Sequence, residues 1–269
     1  MPERRLLLVL VAFHPRPEEV ERLGKCLEAL DSDVGYAVVV NDHLPGEPVE
    51  RLQAQADLFL TTTQNLGYGR AVNWAWRVCQ QRSANSGGHL PGWLGALNTD
   101  LSWLPGTFTT MLSWLNQHPD VVLAVPQIRD PQGQVQELCK RNPSLLALSS
   151  RRFVPEWLKP RWLKHYDQRY VMADADYDQP FEAPYLSGCC MVISTQAFKH
   201  IGGFDDRFFL YLEDADLTRS LAQLGRTLHL PCAYVTHAWG RGNHGSLRLT
   251  AVNLHSAWIY FNKWGFSFW

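Results

Sequence analysis

No run of about 18 consecutive apolar residues occurs anywhere in the 269-residue chain, so no segment is expected to cross a membrane as a helix. The six cysteines, at positions 26, 79, 139, 189, 190 and 232, form no C-x-x-C pair; the spacing excludes a zinc ribbon. They read as buried thiols in a reducing compartment. There is no N-x-S/T acceptor and no block of basic residues, and 25 Lys and Arg stand against 26 Asp and Glu. That balance argues against nucleic acid as a partner, because phosphate binding needs a concentrated basic field. The motifs G-x-S-x-G, HExxH and the P-loop are also missing. The cytoplasm is the expected location.

What is present is an α/β rhythm. Residues 6–13 are a continuous apolar run behind Arg4-Arg5. The run is short for a leader and ends in His14-Pro15-Arg16-Pro17, so it reads as a strand buried on both faces. Helical spacing over 18–30 follows, then strands over 36–40, 57–61, 93–97 and 121–125. Helices are expected over 49–56, 70–82 and from Pro105, with a flexible loop at 83–88. This alternation predicts a mostly parallel central sheet flanked by helices. In such sheets ligands bind beyond the carboxyl ends of the strands. His14, Asp42 and Asn98-Thr99-Asp100 stand at three such ends.

The second half changes character. Between positions 140 and 169 there are eight Lys and Arg and two Asp and Glu, mixed with Phe153, Trp157, Trp162 and Tyr166. Two readings stay open: a solvated helical excursion, or a surface suited to an anionic membrane interface, where basic and aromatic side chains are both favoured. Order returns over 185–194 and 204–211, with a helix over 213–224 and strands near 227–230 and 234–237. The end, 247–269, reads as an aromatic helix that packs in the core or on a membrane.

Asp100, at a strand end, suits either a turn or a hard divalent cation, which takes one or two carboxylates and completes its shell with water and phosphate. Glu213, Asp214 and Asp216 open a helix, where its dipole favours acids. Capping accounts for Asp216; Glu213 and Asp214 follow an apolar aromatic run, where low dielectric favours a general base. His237 closes a strand before a glycine-rich loop carrying Arg241, whose planar donor fork matches phosphate.

Asn65-Leu66-Gly67 with Asn73, Asn98-Thr99-Asp100, Ser187-Gly188-Cys189-Cys190-Met191, the Gly203-Phe204-Asp205 block running on through Phe208-Phe209-Leu210-Tyr211-Leu212-Glu213-Asp214-Ala215-Asp216-Leu217, and 231–237 occur in a telling order. The chain resembles glycosyltransferase family 2, within it the bacterial rhamnosyltransferase-like branch, over about residues 6–264. The resemblance implies a single GT-A domain: 1–128 for the nucleotide sugar, 129–245 for acceptor and catalysis, and an aromatic helix at 246–269. It implies Mg2+ or Mn2+ held by Asp100 and His237, and Asp214 as catalytic base with Glu213 beside it. His14, Asp42, Asn65, Gly67, Arg70, Asn98 and Arg241 are implied in nucleotide-sugar binding. Two departures stand out: Asn98 replaces the first D-x-D aspartate, implying a looser metal, and the second strand ends Asn41-Asp42 where relatives often have Asp-Asn.

The implied reaction is inverting transfer, first of L-rhamnose from a dTDP donor, with UDP- and GDP-sugars, galactofuranose and other hexoses as alternatives. The implied acceptor is a cell-surface glycan or its polyprenyl-diphosphate-linked precursor, at the cytoplasmic face of the inner membrane. A non-catalytic sugar-nucleotide or glycan-binding protein on the same scaffold is the reading from another class. A dehydrogenase fits poorly, because Gly67-Tyr68-Gly69 lacks the third glycine and the early position of the dinucleotide fingerprint. A nucleotidyltransferase would need a glycine-rich loop after the first strand.

Overall fold

The computed structural model describes residues 4–238 and 247–269. The first half runs β1 (Leu6–Ala12), α1 (Pro17–Glu28), β2 (Val34–Asn41), α2 (Glu50–Gln53), β3 (Leu58–Thr62), α3 (Tyr68–Ser86), β4 (Trp93–Asn98), β5 (Leu101–Trp103), α4 (Thr107–Leu115) and β6 (Val121–Arg129). The second runs α5 (Leu145–Phe153), α6 (Arg161–Tyr170), β7 (Phe181–Glu182), β8 (Cys190–Ser194), α7 (Thr195–Ile201), α8 (Glu213–Leu221), β9 (Arg226–His237) and α9 (Leu247–Trp264).

One mixed sheet, in the order β3-β2-β1-β4-β8-β6-β9-β5 with β7 on β9, carries both halves. Strands β1 to β4 pair in parallel, as do β6 and β9, whereas β8 is antiparallel to both β4 and β6. The amino end of β8 therefore lies at the same edge as the carboxyl ends of the parallel strands. This brings Ser187-Gly188-Cys189 to that edge.

Continuous apolar strands follow from burial on both faces. Leu6, Leu8 and Leu10 face α1 and α4 residues such as Leu23 and Met111, while Leu7 and Val9 face Val72 and Trp76 of α3. A third, smaller core of Phe208, Leu212, Tyr260 and Phe261 joins α9 to the turn before α8.

Several expectations need correction. Residues 83–88 are not a loop up to Ser86: α3 continues to that residue and stops at Gly87, whose φ of 63° supplies the left-handed terminus. The strands expected at 227–230 and 234–237 are one strand, β9, with a register break against Pro126 and Gln127. Residues 204–211 form no strand, and the order expected from 185 becomes strand only at Cys190. Cys232 is exposed and Cys26 half-buried, so burial does not hold for all six thiols.

The basic aromatic segment is helical and anchored. Ser144 caps α5 through the Ala147 N–H at 3.1 Å and meets the Tyr166 hydroxyl at 2.6 Å. The α9 helix ends at Trp264, short of the expected 269. After Gly265, at φ 85°, the tail turns back so that Ser267 O and Phe268 O accept from the Leu145 and Leu146 N–H groups at 2.9 and 3.1 Å. Tyr260 and Phe261 are buried while Trp258, Phe268 and Trp269 are exposed, so the terminal segment has a core face and a solvent face.

Candidate active site

Strained backbone marks the carboxyl edge of the sheet. Of five non-glycine residues with positive φ among the described residues, four lie there: His14, Asp42, Tyr211 and Leu212. Such conformations cost about 1–3 kcal/mol each and persist where the surroundings over-determine them. At the end of β1, His14 meets Glu47 through Nδ1 at 2.5 Å and Asp42 through Nε2 at 3.3 Å. Hydrogen bonding to Glu47, with Asp42 adding to it, raises the imidazole above its ordinary pKa.

Asn41 and Asp42 differ in what their side chains meet. Asn41 is buried, and its amide is spent on the next loop: Nδ2 donates to Asn65 Oδ1 at 3.0 Å and Oδ1 accepts from the Leu66 N–H at 2.8 Å. Asn65 Oδ1 also accepts from the Gly67 N–H at 3.0 Å. Asp42, about one-third exposed in its side chain, is the member left facing outward. Gly67 is required twice over, because its φ is 81° and an added Cβ would lie 2.1 Å from the Phe209 carbonyl oxygen. Arg70, on α3, donates through Nε to the Asp206 carbonyl at 2.6 Å, so it braces the 203–206 loop. Asn73 braces the same loop, accepting from the Phe204 N–H at 2.9 Å and donating to the Phe204 carbonyl and Asp206 Oδ1 at 2.8 Å.

After β4, Asn98 is held through its backbone N–H on the Cys189 carbonyl at 3.0 Å. The β5–β9 register pairs Leu101 with His237, which sets Asp100 beside that histidine. Asp100 Oδ2 lies 3.1 Å from His237 Nε2, and Asp100 Oδ1 is buried without a hydrogen-bond partner among the described residues. Gln136, which no sequence signal marked, clamps the histidine from behind. Its Nε2 donates to the His237 carbonyl at 3.3 Å, so its Oε1, 3.2 Å from Nδ1, is the acceptor of the ring N–H. With Nδ1 donating, Nε2 turns a lone pair toward the carboxylate, and two acceptors at that distance need a cation or a proton between them. An orphaned carboxylate oxygen and an oriented imidazole fit a divalent cation. No third His, Cys, Asp or Glu joins them among the described residues, leaving the rest of a shell to water and substrate phosphates. Arg241 lies outside the described residues.

Gly188 stands between this pair and Glu213-Asp214. Its carbonyl accepts from the Tyr68 hydroxyl at 2.9 Å, and its N–H donates to Asp214 Oδ2 at 3.0 Å. The neighbouring Cys189 thiol is pushed up to about 12, by burial first and then by the charges of Asp100 and Asp214 on either side. The α9 helix props the strained turn before α8, Ser256 Oγ donating to the Leu210 carbonyl at 2.7 Å. Asp216 is structural: Lys263 Nζ and Trp264 Nε1 donate to it at 2.8 and 2.7 Å. Glu213 and Asp214 line a cavity of about 330 Å³ with Lys140, Arg151, Arg152 and Tyr185. Burial, and next the charge of Asp214, push Glu213 up to about 8, so it is protonated at neutral pH.

The chain and its fold have counterparts among known proteins. No family model matches the chain. The N-acetylglucosaminyl-diphospho-decaprenol L-rhamnosyltransferase of Mycobacterium tuberculosis, strain H37Rv, is 29% identical over 270 residues, covering 94% of this chain and 86% of the relative. Among solved structures, GalNAc-T7 with UDP, GalNAc and Mn2+ superposes with a TM-score of 0.63 at 13% identity, over 98% of this chain and 48% of that one. This chain has a GT-A fold. A mannosyltransferase from Pyrobaculum calidifontis, in complex with GDP-Man and Mn2+, superposes with a TM-score of 0.60 at 15% identity, over 97% and 64%. The chain thus spans less than two thirds of either structural neighbour.

Proposed function

We propose that the protein transfers L-rhamnose, with inversion, from dTDP-rhamnose to a polyprenyl-diphosphate-linked glycan precursor. The observation that carries this reading is that the Asp100–His237 pair and Asp214 both approach one backbone segment: Asp214 accepts from the Gly188 N–H, and Asn98, two residues before Asp100, donates to the Cys189 carbonyl. The curated relative, matched along nearly the whole chain, is a rhamnosyltransferase whose name specifies a diphospho-decaprenol acceptor. The neighbours bound to UDP or GDP-Man with Mn2+ support a nucleotide sugar and a divalent cation in general. The choice of dTDP rests on the rhamnosyltransferase likeness.

Asp42, Asn65 and His14 form the wall toward the nucleoside. Asp100 and His237 would hold Mg2+ or Mn2+, which when bound supplies positive charge to the departing diphosphate. Asp214, fixed by the Gly188 N–H, accepts the proton of the acceptor hydroxyl as that oxygen attacks the anomeric carbon. Glu213, protonated beside it, adds no second negative charge to repel the nucleophile. Inversion follows if the acceptor oxygen attacks from the Asp214 side as the diphosphate leaves toward Asp100 and His237.

No helix among the described residues is long and apolar enough to cross a membrane. Contact with the cytoplasmic face of the inner membrane would be peripheral. Phe153, Trp157 and Trp162 on the basic segment, with Trp258, Phe268 and Trp269, are exposed and suit an interface of lipid headgroups. Sedimentation with anionic liposomes at low salt tests this, and failure to sediment rejects it.

Nucleotide release across dTDP-, UDP- and GDP-sugars, with Mg2+ or Mn2+ and with EDTA, tests the activity. Metal-dependent release from dTDP-rhamnose is expected with a lipid-linked acceptor. Release from another donor alone overturns the rhamnosyl assignment.

A further inference from the structure

The cavity on the Asp214 side contains more positive charge than catalysis by a carboxylate explains. Lys140, Arg151 and Arg152 line it, and none of the three forms an ion pair with a described residue. Lys140 Nζ lies 4.3 Å from the centroid of the Tyr185 ring, and the Arg151 guanidinium lies 5.8 Å from that of Tyr170. Arg152 donates to the Thr250 hydroxyl, which ties it to α9. Lys140 and Arg152 are half-buried and Arg151 is exposed, and aromatic faces and one hydroxyl leave all three free to take an anionic partner. Burial lowers the Lys140 pKa, Asp214 opposes that shift, and Arg151 adds to it by repulsion. The cluster presents an open anion site.

We propose that Lys140, Arg151 and Arg152 bind the diphosphate that links the acceptor sugar to its lipid, placing the acceptor hydroxyl at Asp214. This rests on the transfer reading for the identity of the acceptor. Three cations face one anionic carboxylate, Asp214, since Glu213 is protonated. The excess of two positive charges matches a diphosphate diester, which bears two negative ones, and guanidinium forks suit its oxygens. The donor's own diphosphate is a poor occupant, because neither Asp100 nor His237 lines this cavity. Exposed apolar side chains adjoin the cavity residues in sequence and offer a surface to a lipid chain. Phe153 directly follows the two arginines, Leu254 directly follows the cavity residue Asn253, Trp258 lies one turn further along α9, and all three are exposed. A cavity of about 330 Å³ holds a sugar with its phosphates but no polyprenyl chain.

Calorimetry with farnesyl diphosphate as the probe, in EDTA and without donor, tests the site apart from turnover. Wild-type protein and Asp100→Ala should bind it alike, and farnesol should bind at least about tenfold more weakly. Arg151→Gln combined with Arg152→Gln should weaken farnesyl diphosphate by about tenfold or more while leaving farnesol unchanged. Arg151→Lys should fall between, and circular dichroism would confirm that each variant is folded. Equal affinity for farnesol and its diphosphate overturns the proposal. So does loss of binding in Asp100→Ala, or indifference to the arginine substitutions. A protein that binds the probe through Arg151 yet releases no nucleotide would retain this site and lose the transfer reading.

Discussion

On the proposed nucleotide side of Gly188, polar side chains satisfy one another, Asp100 Oδ1 excepted. Asn41 is used up on Asn65 and Leu66, His14 on Glu47 and Asp42, and Gln136 on both ends of His237. On the Asp214 side, Lys140 and Arg151 have aromatic faces for partners, and Glu213 Oε2 is buried with no hydrogen-bond partner among the described residues. The first region is set before substrate arrives; the second is completed by it. Substitutions on the nucleotide side should therefore register in stability, and those on the Asp214 side in turnover and acceptor use.

The largest expected effect is on turnover. Asp214→Asn keeps the shape and the contact with Gly188 but removes the proton acceptor, so kcat should fall by at least about 100-fold. Donor affinity by calorimetry should hold. Turnover near the wild-type level would end the assignment of Asp214 as base, and loss of donor binding would show that the two regions are not separable.

The next effect is on folding. Gly67→Ala meets both a positive φ and the Phe209 carbonyl oxygen 2.1 Å from the new Cβ, and should cost more than about 3 kcal/mol in urea denaturation. Gly46→Ala provides the control: its φ is 87°, but nothing lies within 4 Å of the added atom. The left-handed backbone alone should then cost about 1–2 kcal/mol. Equal losses would mean that close packing against Phe209 contributes nothing. Asn41→Ala should fall between them, at about 1–3 kcal/mol, because it leaves the Leu66 N–H and Asn65 amide without their buried partner. It should also raise the donor KM, which steady-state kinetics would read.

The same contrast governs what the sequence revealed. Strands β1 to β4 were legible because apolar runs buried on both faces leave a strong pattern, and the strand ends picked out His14, Asp42 and Asp100. Gln136 was not legible: it lies on a connection after β6, and its role exists only because β9 brings His237 back beside it. Asn41 was seen as a neighbour of the contact residue rather than as the brace of the Asn65 loop, which depends on a pairing 24 positions apart. The basic segment was visible as composition. Its division into cavity cations, Arg151 and Arg152, and a brace from the α5–α6 connection to α6, Lys159 on Asp167 at 2.7 Å, required the folded arrangement of that segment. Signals carried by local periodicity survive in sequence, whereas those made by convergence of distant elements do not.

The smallest expected effect separates the two neighbouring acids of α8. Glu213 is held up at about 8, against an ordinary 4.5, by burial and then by Asp214. A raised folded-state pKa means that the native protein binds a proton the unfolded chain releases above pH 4.5. The resulting stabilisation is full below that pH and is lost as pH rises through about 8. Glu213→Gln presents a similar neutral group at every pH, so its melting temperature relative to wild type should climb between pH 5 and 8. At pH 7 its kcat should remain close to wild type, in contrast to Asp214→Asn. Because burial is the larger cause, Asp214→Asn should shift the pH profile of stability of the otherwise wild-type protein downward without abolishing it. A profile that flattened completely in Asp214→Asn would make repulsion between the two carboxylates, rather than the apolar surroundings of Glu213, the source of its retained proton.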